Sequence, residues 1–285
     1  MKYLKKGIVI LLKLCLVLLL TVYFVFYNFS KPKTDIEVQE AFTSSNTQPI
    51  LEKESFRGFS FRKLSMQKEI DTTKTTLVFV HGTPGSLLDF KRYMADSLLQ
   101  TKFNMISYDR IGYAFDDEKL IIKTIDFEVQ MLKQVSNNLQ KSNTVLVGYS
   151  YGGPIALAVK EKYKKIALLA PAIYSEAEYV PGMIQFYKWK LTRFLVPKIW
   201  KSASKEKLAH VTELKKYESN WSTTLSEVIS IHGTTDGIVP YKNSLLLKKQ
   251  FQNLQFELIP IENAGHGLVW SNFEQIKREF LKLAD

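Results

Sequence analysis

The stretch Gly148-Tyr149-Ser150-Tyr151-Gly152-Gly153 decides how this chain folds. It follows the apolar run Thr144-Val145-Leu146-Val147 and precedes the helix-like run Pro154-Ile155-Ala156-Leu157-Ala158-Val159. The order is strand, Gly-X-Ser-X-Gly, helix. Gly148 and Gly152 let the backbone close where a Cβ would clash. Ser150 is thereby pushed out of the sheet edge with a helix N-terminus behind it, where negative charge developing near Oγ is favoured. A serine so placed suits a nucleophile. The plain alternative is a glycine-rich turn with an incidental serine, and three further segments weigh against it.

A nucleophilic serine needs a base, and the base needs an orienting acid. Of the histidines His81, His210, His232 and His266, the last lies in Asn263-Ala264-Gly265-His266-Gly267, just past the strand-like Phe256–Ile261. Asp236 lies in Gly233-Thr234-Thr235-Asp236-Gly237, just past the strand Val228–Ile231. Both project from the C-terminal edge of strands, where open α/β sheets place their ligands. Earlier in the chain, the buried strand Leu77–Val80 runs into His81-Gly82-Thr83-Pro84-Gly85-Ser86. With His266 already placed as the base, His81 reads as a loop brace.

These segments together resemble the α/β-hydrolase superfamily, from about Phe56 to the C-terminus. The resemblance implies that fold: a mostly parallel sheet with a helical lid inserted after the sixth strand. The chain order Ser150, Asp236, His266 is that of the family. The loop His81–Gly85 is similar to the family's His-Gly-X-Pro-Gly loop. That implies an oxyanion hole made by the N–H groups of Thr83 and Tyr151, worth roughly 3 kcal/mol each. Pro84 has no N–H to offer. Serine at the nucleophile position departs from the epoxide-hydrolase and haloalkane-dehalogenase branches. Tyr108-Asp109-Arg110-Ile111-Gly112-Tyr113 resembles the family's Asp-Arg-X-Gly-X-Gly loop, with Ile111 in place of the common proline and Ala114 at the last glycine. Asp109 and Arg110 read as a structural pair.

The chain has 285 residues and a formal charge of +11, with no nucleic-acid-binding motif. Its lysines cluster near the N-terminus and in one insert, which suits an anionic membrane surface. After Lys2, Lys5 and Lys6, an apolar run extends to about Phe29, broken only by Lys13. About 20 apolar residues suffice to cross a bilayer. The flanking lysines keep the N-terminus in the cytoplasm, so the catalytic domain is expected outside it. A cleaved signal peptide is the competing reading, disfavoured by the length of the run and the lack of a small-X-small site. Cys15, the sole cysteine, has Leu14 and Lys13 before it rather than the small residues of a lipidation signal. Residues 1–30 are therefore read as an anchor, 31–55 as a polar linker and 56–285 as the hydrolase domain.

Strands are expected at 76–81, 103–108, 143–149 and 165–170, with helices at about 87–100, 124–140 and 153–163 between them, an alternation that implies a parallel sheet. The insert at about 173–226 is too long for a simple loop. It carries Trp189, Trp200, Trp221, Phe186, Tyr187 and Phe194 among many lysines. These aromatics pack the lid, line an apolar acyl pocket, or touch the bilayer, as basic amphipathic helices do.

The reading is a membrane-anchored serine hydrolase that cleaves a carboxylic ester or related acyl bond. Ser150 attacks after His266 takes its proton, Asp236 fixes the imidazole tautomer, and an acyl-serine forms and is hydrolysed. No metal or organic cofactor is required. The expected partners are an apolar acyl ester and a membrane held through the N-terminal helix, not nucleic acid. Peptidase, thioesterase, acyltransferase or carbon–carbon bond hydrolase chemistry stays open, because the fold does not choose among them. The non-enzyme alternative is a retired hydrolase serving as a membrane-tethered binding protein.

Overall fold

The computed structural model describes residues 2–45, 47–114, 124–251 and 255–284. Met1, and Asn46 of the expected linker, lie outside them. The alternating and continuous apolar runs become eight strands: β1 (Ile50–Phe56), β2 (Phe59–Ser65), β3 (Thr75–Val80), β4 (Phe103–Tyr108), β5 (Thr144–Tyr149), β6 (Lys165–Leu169), β7 (Glu227–Gly233) and β8 (Phe256–Ile261). They form one sheet in the order β1-β2-β4-β3-β5-β6-β7-β8. β1 and β2 pair antiparallel with each other, and β2 with β4; every pair from β4 to β8 is parallel.

The helices are α1 (Lys2–Phe29), α2 (Asp35–Glu40), α3 (Lys91–Met94), α4 (Ser97–Lys102), α5 (Ile125–Val135), α6 (Gly152–Leu157), α7 (Ile184–Lys188), α8 (Lys198–Leu214), α9 (Lys242–Gln250), α10 (Leu268–Ser271) and α11 (Phe273–Leu281). Central strands β3, β4 and β5 are buried along their whole length, which is why they read as continuous apolar runs rather than alternating ones. Successive side chains go to opposite faces. Leu77, Phe79, Val145 and Val147 join Phe90, Tyr93, Phe273, Ile276 and Phe280 on one side. Val78, Val80 and Leu146 join Phe127, Met131, Ile155 and Leu247 on the other.

Three expectations are corrected. The helix at 87–100 is a 3-10 turn, Leu87–Phe90, followed by α3 and α4; the Asp96 side chain caps Leu99 N–H and so starts a new helix in mid-run. The helices at 124–140 and 153–163 are shorter, ending at Val135 and Leu157. The polar linker is folded onto the domain. Its α2 opens with a Thr34–Glu37 capping box, Val38 and Phe42 are buried in the same core cluster as Leu99 and Phe103, and β1 begins at Ile50. The polar composition masked this single i, i+4 apolar pair.

α1 stands apart. Its stretch Tyr3–Phe29 has a mean hydropathy of 2.9 in its most apolar window, with nothing buried. At 1.5 Å per residue it is about 40 Å long, enough to cross a bilayer by length and composition. It touches the domain at its C-terminal end: Trp200 Nε1 donates to Ser30 Oγ at 2.9 Å, and the Phe26 and Trp200 rings lie 5.7 Å apart.

Candidate active site

β5 ends at Tyr149, and the next residue reverses the chain. Ser150 has φ +53°, a left-handed backbone that an L-residue adopts only under strain. The tightness of the turn explains both flanking glycines. A Cβ on Gly148 would lie 2.4 Å from the Gly152 carbonyl oxygen, and one on Gly152 would lie 2.1 Å from that of Val80. The turn is thus wedged against β3, whose own loop leaves on the other side of the switch point.

The structure brings Ser150, Asp236 and His266 together. His266 Nε2 is 3.0 Å from Ser150 Oγ, and His266 Nδ1 is 2.8 Å from Asp236 Oδ2. Asp236 accepts only, so Nδ1 carries the proton and Nε2 is left to accept from Ser150. Asp236 Oδ1 takes the Ile238 and Val239 N–H groups at 2.9 and 2.8 Å, and His232 Nε2 stands 3.4 Å from Oδ2. Burial alone would raise the Asp236 pKa; the His232 and His266 hydrogen bonds, the charge of His266 and the Val239 N–H outweigh it and hold the carboxyl well below the usual range. It therefore stays ionised across neutral and mildly acidic pH.

Gly82 packs directly on the serine: a Cβ there would come within 2.9 Å of Ser150 Cβ. Thr83 follows it, and Tyr151 follows Ser150, so the two residues expected to supply oxyanion donors sit in the loops that meet at the serine. Among the described residues, no backbone carbonyl takes the N–H of Thr83 or of Tyr151.

His81 is fully buried, and its ring is committed. Nε2 accepts from Arg110 N–H at 3.0 Å, and Nδ1 donates to the Gly82 carbonyl at 2.8 Å. It ties the β3 loop to the β4 loop. Asp109 and Arg110 are structural but do not pair with each other. Consecutive side chains leaving β4 diverge to opposite sides. Asp109 pairs with Arg62 of β2 at 2.7 Å and accepts Leu87 N–H. Arg110 pairs with Glu128 of α5 at 3.1 Å and with Glu206 of α8.

Two residues the sequence reading passed over support the site. Tyr149 donates to the His266 carbonyl at 3.0 Å, and its ring stacks on the imidazole at 5.2 Å. Glu206 reaches from the insert into the β3 loop: it accepts from Thr83 Oγ1 at 2.6 Å, from Tyr113 OH and from Arg110. Arg110 in turn donates to the Gly82 carbonyl at 3.1 Å and lies 4.7 Å over the Tyr151 ring, which His210 of α8 faces from 4.5 Å. α8 is thus pinned to the loops that follow β3, β4 and β5. Its Trp200 is committed to α1 rather than to an acyl pocket, and Trp221 is buried, stacked on Tyr217. Trp189 is exposed.

Residues 75–189 match a family model described as alpha/beta hydrolase fold. A curated relative, the AB hydrolase superfamily protein YisY of Bacillus subtilis, is 26% identical, over 70% of this chain and 88% of its own. A proline iminopeptidase of Thermoplasma volcanium is 33% identical over 96 residues, about a third of each chain. Among solved structures, an esterase from Exiguobacterium antarcticum superposes with a TM-score of 0.63 at 16% identity, covering 81% of this chain and 98% of its own. A bacterial membrane phospholipase A does so at 0.62 and 14% identity, covering 99% and 98%. Strand order, the strained serine turn and these likenesses agree: the chain has the α/β-hydrolase fold, and residues 75–189 match that family's model.

Proposed function

We propose that this chain is a membrane-anchored serine hydrolase acting on a carboxylic ester with an apolar acyl group. The observation that carries the reading is the hydrogen-bonded series Ser150 Oγ, His266 Nε2, His266 Nδ1, Asp236 Oδ2, at 3.0 and 2.8 Å. In this mechanism His266 takes the Ser150 proton as Oγ bonds to the ester carbonyl carbon. The Thr83 and Tyr151 N–H groups hold the resulting oxyanion. His266 then gives its proton to the leaving alkoxide, and an acyl-serine remains. Water, deprotonated by His266, attacks the acyl carbon; collapse frees the carboxylic acid and returns the proton to Ser150. Asp236 stays ionised and stabilises imidazolium throughout. The apolar length of α1 supports an uncleaved anchor with a cytoplasmic N-terminus. So does the likeness, along nearly the whole chain, to a protein described as a membrane phospholipase A.

The test is labelling of the full chain by a fluorophosphonate, with turnover of p-nitrophenyl esters of graded acyl length. Wild type should be labelled and active, and Ser150→Ala should lose both, turnover by at least about 10⁴-fold. A folded Ser150→Ala protein with near-wild-type turnover overturns the nucleophile. Mass spectrometry of the purified protein reads the anchor: an N-terminus near residue 30 overturns it.

A further inference from the structure

Beyond α1, fifteen large hydrophobic side chains are exposed among the described residues. Seven are scattered singly, as on any surface. The other eight fall between Tyr179 and Leu195, with Leu191 85%, Phe194 72% and Trp189 68% exposed. A concentration of this kind marks an interaction surface.

Two observations say what covers it. From Tyr179 to Lys201 the chain carries Lys188, Lys190, Arg193, Lys198 and Lys201 and no acidic residue. The C-terminal end of the patch is also tethered near the end of α1. Trp200 is bonded to Ser30, one residue past that helix, and Phe194 is six residues from Trp200, no more than about 20 Å even when fully extended. The same end of α1 carries Tyr23, Phe24, Phe26, Tyr27 and Phe29, the aromatic residues that settle at a membrane–water boundary. Arg193 lies over the Tyr187 ring at 5.0 Å and donates to the carbonyls of Tyr187 and Lys188, which shapes the segment as a turn with its apolar side chains outward.

We propose that Tyr179–Lys201 is a second membrane contact. Its apolar side chains enter the headgroup layer of the bilayer that α1 crosses, and its cations meet anionic lipid phosphates. This rests on the anchor reading above and adds to it a fixed orientation: the lid is held against the lipid surface.

The experiment uses the full chain, one copy per nanodisc, in phosphatidylcholine with or without phosphatidylglycerol. Phe194→Cys in a Cys15→Ser background carries an environment-sensitive fluorophore. Blue-shifted emission, quenched by lipids spin-labelled near the headgroup and stronger in the anionic discs, is the expected result. Lys188→Glu with Lys190→Glu should diminish it. Water-like, unquenched emission overturns the proposal. So does shielding that lipid labels do not quench but added protein increases, which places a second copy on the patch. In parallel, native Cys15 reports α1: protection from a water-soluble maleimide supports the anchor, and full reactivity overturns that reading separately, whatever residue 194 reads.

Discussion

Asp109 and Asp236 both follow buried strands, and only their partners tell them apart. Asp236 faces His266; Asp109 is spent on Arg62 and Leu87 N–H. Asp236→Asn should lower turnover by about 10⁴-fold through the wrong imidazole tautomer. Asp109→Asn should keep turnover per folded molecule but cost about 3 kcal/mol, because Arg62 loses its buried countercharge; urea midpoints measure this. The two Asp variants also differ in acid. A carboxyl whose folded pKa is depressed stabilises the fold above its unfolded value, near 3.8 for Asp236, and that contribution is lost as pH falls below it. Asp236→Asn should therefore show a shallower loss of urea midpoint between about pH 4 and pH 2 than wild type. At this scale the sequence was most legible where glycine sits beside chemistry, at Ser150 and His266. Tyr149 and Glu206 were hidden: a tyrosine ending a buried strand reads as core, and a glutamate among lysines reads as a solvated face.

Among elements, α8 has the most to explain. Trp200 holds one end of it to α1 and Glu206, about 9 Å along the axis, holds the β3 loop. Glu206→Leu should lower kcat on a short ester by up to about 10²-fold with KM little changed, since Thr83 shifts relative to the reacting carbonyl. Glu206→Gln, whose amide oxygen still accepts from Thr83, should be milder. Equal kcat in both variants and wild type would remove Glu206 from the positioning of that loop. Helix boundaries were the least legible feature at this scale, because where each helix stops depends on caps such as Asp96 and on burial, neither of which apolar periodicity records.

For the whole molecule, the parallel core of the sheet was legible in the alternation of strand and helix, whereas the strand order was not. The antiparallel β1 and β2, and the packing of α2, depend on contacts across the chain: Arg62 alone joins Asp109, Asp35 and the Lys33 carbonyl. The left-handed backbone at residue 150 has a consequence for the molecule's heat tolerance. An L-residue held at φ +53° costs about 1 kcal/mol relative to glycine. Ser150→Gly should therefore melt about 2–4 °C above Ser150→Ala in a calorimetric scan, although both are inactive and neither gains a contact. Equal melting temperatures would show that the turn carries no such cost. Selection for thermal robustness alone would favour glycine at residue 150, so the serine there is a cost that folding does not require.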